Sequence, residues 1–198
     1  GDTGQQRNST GFLVLIKRWE LLRIYFCAMG SFAVFSSVFN YLPFRLTAPP
    51  FNFSTELTTL FYVVYVVGIF MGPMAGNISN RFGSGNTLLG GSVFLGISLA
   101  LILLPSISAV VLGLLGICAG FFTVHAAAVG SLNRKLSSDQ GRANALYVLF
   151  YYLGGWLGIT CTGFAFKQGG WHAMVYICAF LLIIPLFAGI GERKSNSR

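Results

Sequence analysis

Six predominantly apolar runs, at 21–44, 56–77, 87–105, 108–131, 143–166 and 171–191, are separated by shorter polar or Gly-, Pro- and Ser-containing segments. A bilayer hydrocarbon core about 30 Å thick needs about 20 residues of helix to cross it, and each run meets that length. The runs are continuous rather than ten-residue alternations, so the pattern predicts helices, not barrel strands. The expected fold class is therefore an all-α membrane protein with six transmembrane helices. The apolar stretch 11–16 is too short to cross and reads as a juxtamembrane turn of helix. Residues 1–20 read as a linker, 21–191 as a six-helix membrane domain and 192–198 as a tail. The polar start lacks the charged and apolar regions of a signal peptide.

Composition strengthens this reading. Apolar residues make up 55% of the 198-residue chain and charged residues 9%, with a mean hydropathy of +0.71. Soluble domains carry about 25% charged residues, so this chain could not cover itself in water. A soluble enzyme, a secreted disulfide scaffold and a disordered tail are excluded. Cys27, Cys118, Cys161 and Cys178 all fall inside apolar runs without C-x-x-C pairing. They read as small packing residues, with no metal or cofactor pattern among them.

The net charge of +8 is a matter of topology. Of 13 Lys and Arg residues, only Arg45 and Lys167 fall in the segments after runs one and five. The others, Arg7, Lys17, Arg18, Arg23, Arg81, Arg134, Lys135, Arg142, Arg193, Lys194 and Arg198, fall on the opposite side. The positive-inside rule then makes both chain ends cytoplasmic and removes nucleic acid as a partner. Trp19 at the inner boundary, and Phe44, Phe51, Phe53 and Trp171 at the outer one, suit interfacial aromatic belts.

Glycines four residues apart mark faces where membrane helices approach closely. Gly68, Gly72 and Gly76 form such a stripe, as do Gly116 with Gly120 and Gly154 with Gly158. Ser137 and Gln140 have the spacing of a capping box at the start of run five.

The segment 72–86, GPMAGNISNRFGSGN, lies between runs two and three. It resembles the signature loop of the major facilitator superfamily, G-x-x-A-G-x-x-x-D-R-x-G-R-R/K. Gly72, Ala75, Gly76, Arg81 and Gly83 match. Asn80 stands where that family has Asp, and Ser84 and Gly85 stand where it has basic residues. The weakened form resembles the second copy of the motif, between helices eight and nine. The glycine run 154–158 is similar to the eleventh helix of efflux-type members, and the basic loop 133–142 to the loop before it. The resemblance implies helices seven to twelve of a twelve-helix transporter, arranged as a 3+3 inverted repeat. It also implies a six-helix N-terminal half and the lipid bilayer as partners, a small-molecule substrate, alternating access, and a bacterial inner membrane. The segment with Gly72, Gly76, Asn80, Arg81 and Gly83 would act as a gating loop, weakened by the loss of the Asp.

Ionisable residues inside a membrane are costly and are functional candidates by default. His125 is the one that sits mid-span, on what the resemblance makes helix ten, a cavity-lining helix. It would bind substrate or carry a coupling proton, its reference pKa being about 6.5. Asn40, Tyr41, Tyr62, Tyr65, Tyr151, Tyr152 and Trp156 are further candidates, since aromatic groups with one polar atom suit amphipathic or aromatic solutes. Glu56 stands at the outer start of run two, near water, and no buried carboxylate is expected. The alternative function is an intramembrane hydrolase of the six-span serine protease type, with Ser92 of the sequence Gly90-Gly91-Ser92-Val93 acting with His125 or His172.

Overall fold

The computed structural model describes residues 11–196, and all regular structure among them is helical. The linker residues 1–10, with Arg7, and the tail residues 197–198, with Arg198, lie outside the described residues. Helix α1 (Phe12–Lys17) is the short apolar turn expected before the first span, and extended backbone at Arg18 separates it from α2 (Trp19–Thr47). Ser54 caps α3 (Thr55–Leu60), its hydroxyl accepting from the Leu57 amide at 3.4 Å. The run Phe61–Val66 winds as a 3₁₀ turn, consistent with the crowding of β-branched and aromatic side chains in an α-helix. Helix α4 (Val67–Phe82) follows directly.

The join between α4 and α5 (Ser84–Leu101) is a single residue, Gly83, at φ 84° and ψ 152°. That conformation is open to glycine and strained for other residues. The signature segment is therefore mostly helix rather than loop. Gly72, Gly76, Asn80 and Arg81 lie within α4, and only Gly83 turns the chain.

Extended backbone at Ser106 precedes α6 (Ile107–Arg134), and α7 runs Gln140–Leu181. The expected capping box does not form. The cap of α7 is Asp139 in the left-handed region, and the Gln140 amide donates to the Asn133 and Leu136 carbonyls, both at 3.1 Å. Gln140 thus closes the end of α6 instead. Helix α7 is interrupted at Gly169 and Gly170, where Gly170 takes φ 65° and ψ −153°. Pro185 lies near the start of α8 (Ile183–Asn196). Lacking an N–H and clashing with the carbonyl four residues back, it accounts for the break at Leu182.

Five helical stretches are long and apolar enough to cross a membrane: Trp19–Thr47, Thr55–Phe82, Ser84–Leu101, Ile107–Arg134 and Gln140–Ser195. Helix α2 packs on α7, α8 and α6, while α5 packs on α6 and α8 and α4 leans on α6. Close approach of α2 and α7 depends on two of the predicted glycines. A Cβ at Gly154 would sit 2.6 Å from Met29 Cα, and one at Gly158 would sit 2.6 Å from Ala33 Cα. Gly116 and Gly120 similarly admit Ser98 and Leu95 of α5. The third stripe differs: Gly68 faces the Phe122 ring, but Gly72 and Gly76 have nothing within 4 Å. Their spacing marks a small face, and no neighbour for it lies among the described residues.

Two smaller expectations also change. Cys27, Cys118 and Cys178 are buried as packing residues, but Cys161 is exposed. Trp171 is buried rather than displayed at an interface, its indole N–H donating to the Ile102 carbonyl at 2.9 Å. That bond meets an orphan carbonyl where α5 ends.

Candidate functional site

An aromatic layer fills the space between α2, α6 and α7, with His125 of α6 at its edge. The Tyr147 hydroxyl and His125 Nδ1 are hydrogen bonded at 3.0 Å. The imidazole meets the Tyr147 and Tyr151 rings edge-on, each at 5.5 Å, and stacks on Phe121 at 5.9 Å. Tyr151 stacks on Phe32 of α2 at 3.7 Å and meets Tyr152 edge-on at 5.2 Å. Phe35 of α2 links this group to Tyr65, with rings 4.2 Å from Phe121 and 5.5 Å from Tyr65. Tyr65 in turn lies 5.8 Å from Tyr62, whose hydroxyl donates to the Phe39 carbonyl at 2.8 Å.

Four of the sequence candidates besides His125, namely Tyr62, Tyr65, Tyr151 and Tyr152, therefore join one contiguous aromatic face. Three do not. Tyr41 stacks on Phe166 at 5.0 Å and donates to the Ile159 carbonyl, pinning α2 to α7. Asn40 is exposed, and Trp156 is 66% exposed on the outside of α7. Tyr147 and Phe32 escaped the sequence reading. Tyr147 is four residues before Tyr151 and so shares its helix face, a spacing that could have flagged it.

The layer is mostly apolar, its polar atoms being the His125–Tyr147 pair and the other tyrosine hydroxyls, and it holds no carboxylate among the described residues. It can stack against a planar or amphipathic solute and offer the imidazole and the tyrosine hydroxyls as hydrogen-bonding groups. The hydrolase arrangement is not formed: the Ser92 hydroxyl donates to the Leu88 carbonyl at 2.7 Å, while His125 is engaged by Tyr147. A separate cavity of about 520 Å³ opens between α4, α5 and α6, lined by Gly90, Phe94, Gly120 and Thr123 among others. None of the predicted site residues lines it.

A second polar feature lies at the opposite end of the bundle from Trp171. Glu192 of α8, a residue expected in the tail, is fully buried. Arg23 of α2 pairs with its Oε1, Lys135 pairs with its Oε2 at 3.2 Å, and the Ser131 hydroxyl donates to Oε2 at 2.6 Å. Beside this knot, Arg134 donates to Ser84 and, at 3.3 Å, to Ser79, the two residues that flank the α4–α5 turn. The turn is thus held from α6. Arg81 of the signature segment is exposed and lies over the Phe82 ring, 5.3 Å from its centroid, within the reach of about 6 Å for a cation–π contact.

The model of the Major Facilitator Superfamily matches residues 21–195. The chain belongs to this superfamily. A Buchnera aphidicola (from Schizaphis graminum) protein named as an uncharacterized transporter is 30% identical over 168 residues, covering 85% of this chain and 39% of its own length. The Bacillus subtilis MFS-type transporter YybF is 28% identical over 172 residues, with coverages of 86% and 42%. The Escherichia coli inner membrane transport protein YnfM is 30% identical over 164 residues, with coverages of 83% and 39%. The chain thus spans about two-fifths of the length of these relatives. The crystal structure of the POT family transporter PepTSo superposes with a TM-score of 0.76 at 19% identity, covering 88% of this chain and 37% of that one. That likeness concerns the fold. By name, the relatives of this superfamily chain are transporters rather than enzymes.

Proposed function

We propose that the chain is the C-terminal half of a twelve-helix secondary transporter, moving a small solute, of an efflux type, by alternating access. The observation that carries this reading is α4 with its leading turns. The stretch Thr55–Phe82 is apolar enough to span a bilayer, yet only 11% of its most hydrophobic window is buried inside the chain. Gly72 and Gly76, a close-approach pair in spacing, open on empty space along it. A helix with that face suits a helical partner, and an N-terminal six-helix half supplies one.

In this reading the fifth apolar stretch crosses twice, reversing at Gly169–Gly170. Its 56 residues would extend about 84 Å as one helix, far beyond a hydrocarbon core of about 30 Å. Six spans follow, and the packing supports a 3+3 inverted repeat. Exchanging α2 with α6, α4 with the first part of α7, and α5 with α8 maps the pair α2–α7 onto α6–α4 and α5–α6 onto α8–α2, all of which are packed. Residues 1–20 would be a linker, and α8, with Glu192 buried in it, would complete the membrane domain, with both ends cytoplasmic and the whole in a bacterial inner membrane. Gly72, Gly76, Asn80, Arg81 and Gly83 would serve the gating movement of α4 against the other half.

The substrate surface is the aromatic face around His125, with Tyr62, Tyr65, Tyr151 and Tyr152. Asn40, Tyr41 and Trp156 lie apart from it. His125 is the group that hydrogen-bonds the solute or exchanges a coupling proton. Transport by the full-length parent, measured with and without a protonophore, tests the reading. His125→Ala is expected to lower kcat/KM about tenfold, the loss of roughly one buried hydrogen bond, and to flatten its pH profile between about 5 and 8. Normal transport with an unchanged profile would remove His125 from the site.

A further inference from the structure

We propose that the basic end of α8 is a binding site for an anionic glycerophospholipid, its phosphate held between two small cavities and an acyl chain lying along Leu89 and Ile190. One cavity of about 400 Å³ is lined by Leu89, Ile190, Arg193 and Lys194. The other, of about 380 Å³, is lined by Arg23, Gly191, Lys194 and Ser195. They share Lys194, which borders both. Each combines cationic side chains with a hydroxyl or an apolar wall, the order of groups that a phosphodiester with an attached chain presents.

The backbone is shaped to make this site. Gly189 lets α8 close on α5, since a Cβ there would sit 2.9 Å from Leu89 Cγ. Gly191, two residues on, lets the Arg23 guanidinium lie against α8, since a Cβ there would sit 2.7 Å from Arg23 Nε. That Nε is buried and has no hydrogen-bond partner among the described residues.

Charge complementarity selects the occupant. Among the described residues, Glu192 is the carboxylate next to the lining residues Gly191 and Arg193, and it is already engaged by Arg23, Lys135 and Ser131. Two cations against one anion leave the knot positive, and Arg193 adds to it. Basic pockets at the end of membrane helices suit anionic headgroups, which lie at that depth of the bilayer with their chains alongside apolar helix surface. Leu89 and Ile190 supply that surface here. The site requires only that this end meet a membrane surface, so it goes beyond the transport reading and survives or fails without it.

The test uses the purified 198-residue chain in mixed micelles, with bound lipid counted by native mass spectrometry. Dioleoyl phosphatidylglycerol is offered against dioleoyl phosphatidylcholine at equal concentration. Retention of the phosphatidylglycerol is expected, and the double variant Arg193→Gln, Lys194→Gln is expected to bind it about thirtyfold more weakly, the change that two basic contacts supply. Lys17→Gln, an exposed cation that lines neither cavity, is the control and should change binding less than twofold. Equal retention of both lipids would overturn the proposal, as would equal loss in the control, which would mean diffuse charge. Displacement by soluble glycerol phosphate would also overturn it, since a site for free phosphate needs no acyl chain.

Discussion

Glu192→Ala is expected to destabilise the helical bundle by about 3–5 kcal/mol, the cost of removing one partner from a buried ion pair. The carboxylate is fully buried and holds Arg23 of α2, Lys135 at the end of α6 and Ser131 of α6. Deleting it leaves two cations, each with 14% of its side chain exposed, facing each other without a counter-ion. The repulsion acts where α2, α6 and α8 meet, so the loss should spread to their packing. Glu192→Gln keeps an acceptor for Ser131 and should cost less. The measurement is the midpoint of unfolding in detergent as a denaturing surfactant is added. A wild-type midpoint for the alanine variant would show that the knot contributes nothing to holding the three helices together.

The second large effect is expected at Gly158. A leucine there places its Cβ where Ala33 Cα lies 2.6 Å away and the Ala33 carbonyl oxygen 2.8 Å away. Overpacking costs about 1–3 kcal/mol when side chains can shift. Here the obstacle is backbone, so the loss should reach or pass the upper end of that range as α2 and α7 are pushed apart. Gly72→Leu is the internal comparison. With nothing within 4 Å of that position, its effect on the chain alone should stay within about 0.5 kcal/mol. Equal destabilisation by the two variants would contradict the packing described for α2 and α7.

Those two glycines also show where a sequence informs and where it stops. The spacing of Gly154 with Gly158 and of Gly72 with Gly76 is the same, and both were legible as small faces. Only the first pair has a neighbour, because spacing describes one helix and is silent about what approaches it. Apolar run length located α2 and α6 well, since hydrocarbon thickness sets a length that composition reveals directly. The α4–α5 join was harder. Asn77, Ser79, Asn80 and Arg81 look like loop residues, but a helix can continue past its apolar run, and α4 does so to Phe82. His125 could be found because an imidazole in an apolar run is conspicuous, and Tyr151 could be found as an aromatic candidate. The bond between His125 and Tyr147 joins positions 22 residues apart, and no local pattern encodes it. Glu192 was the hardest case. Followed directly by Arg193 and Lys194, it has the composition of a solvated tail, while Ser131 and Arg23 stand 61 and 169 residues away.

The one-residue join at Gly83 makes α4 and α5 two arms of a single lever. Neither can tilt at that end without carrying the other, because there is no slack chain to absorb the motion. Arg134, bonded to Ser79 on one arm and Ser84 on the other, ties the fulcrum to α6. Helix α5 in turn rests on α8 through Leu89 and Gly189. A push on the exposed face of α4 is therefore delivered to the far side of the bundle as displacement rather than dissipated in a loop. Inserting two flexible residues after Gly83 would disconnect the arms while leaving each helix intact.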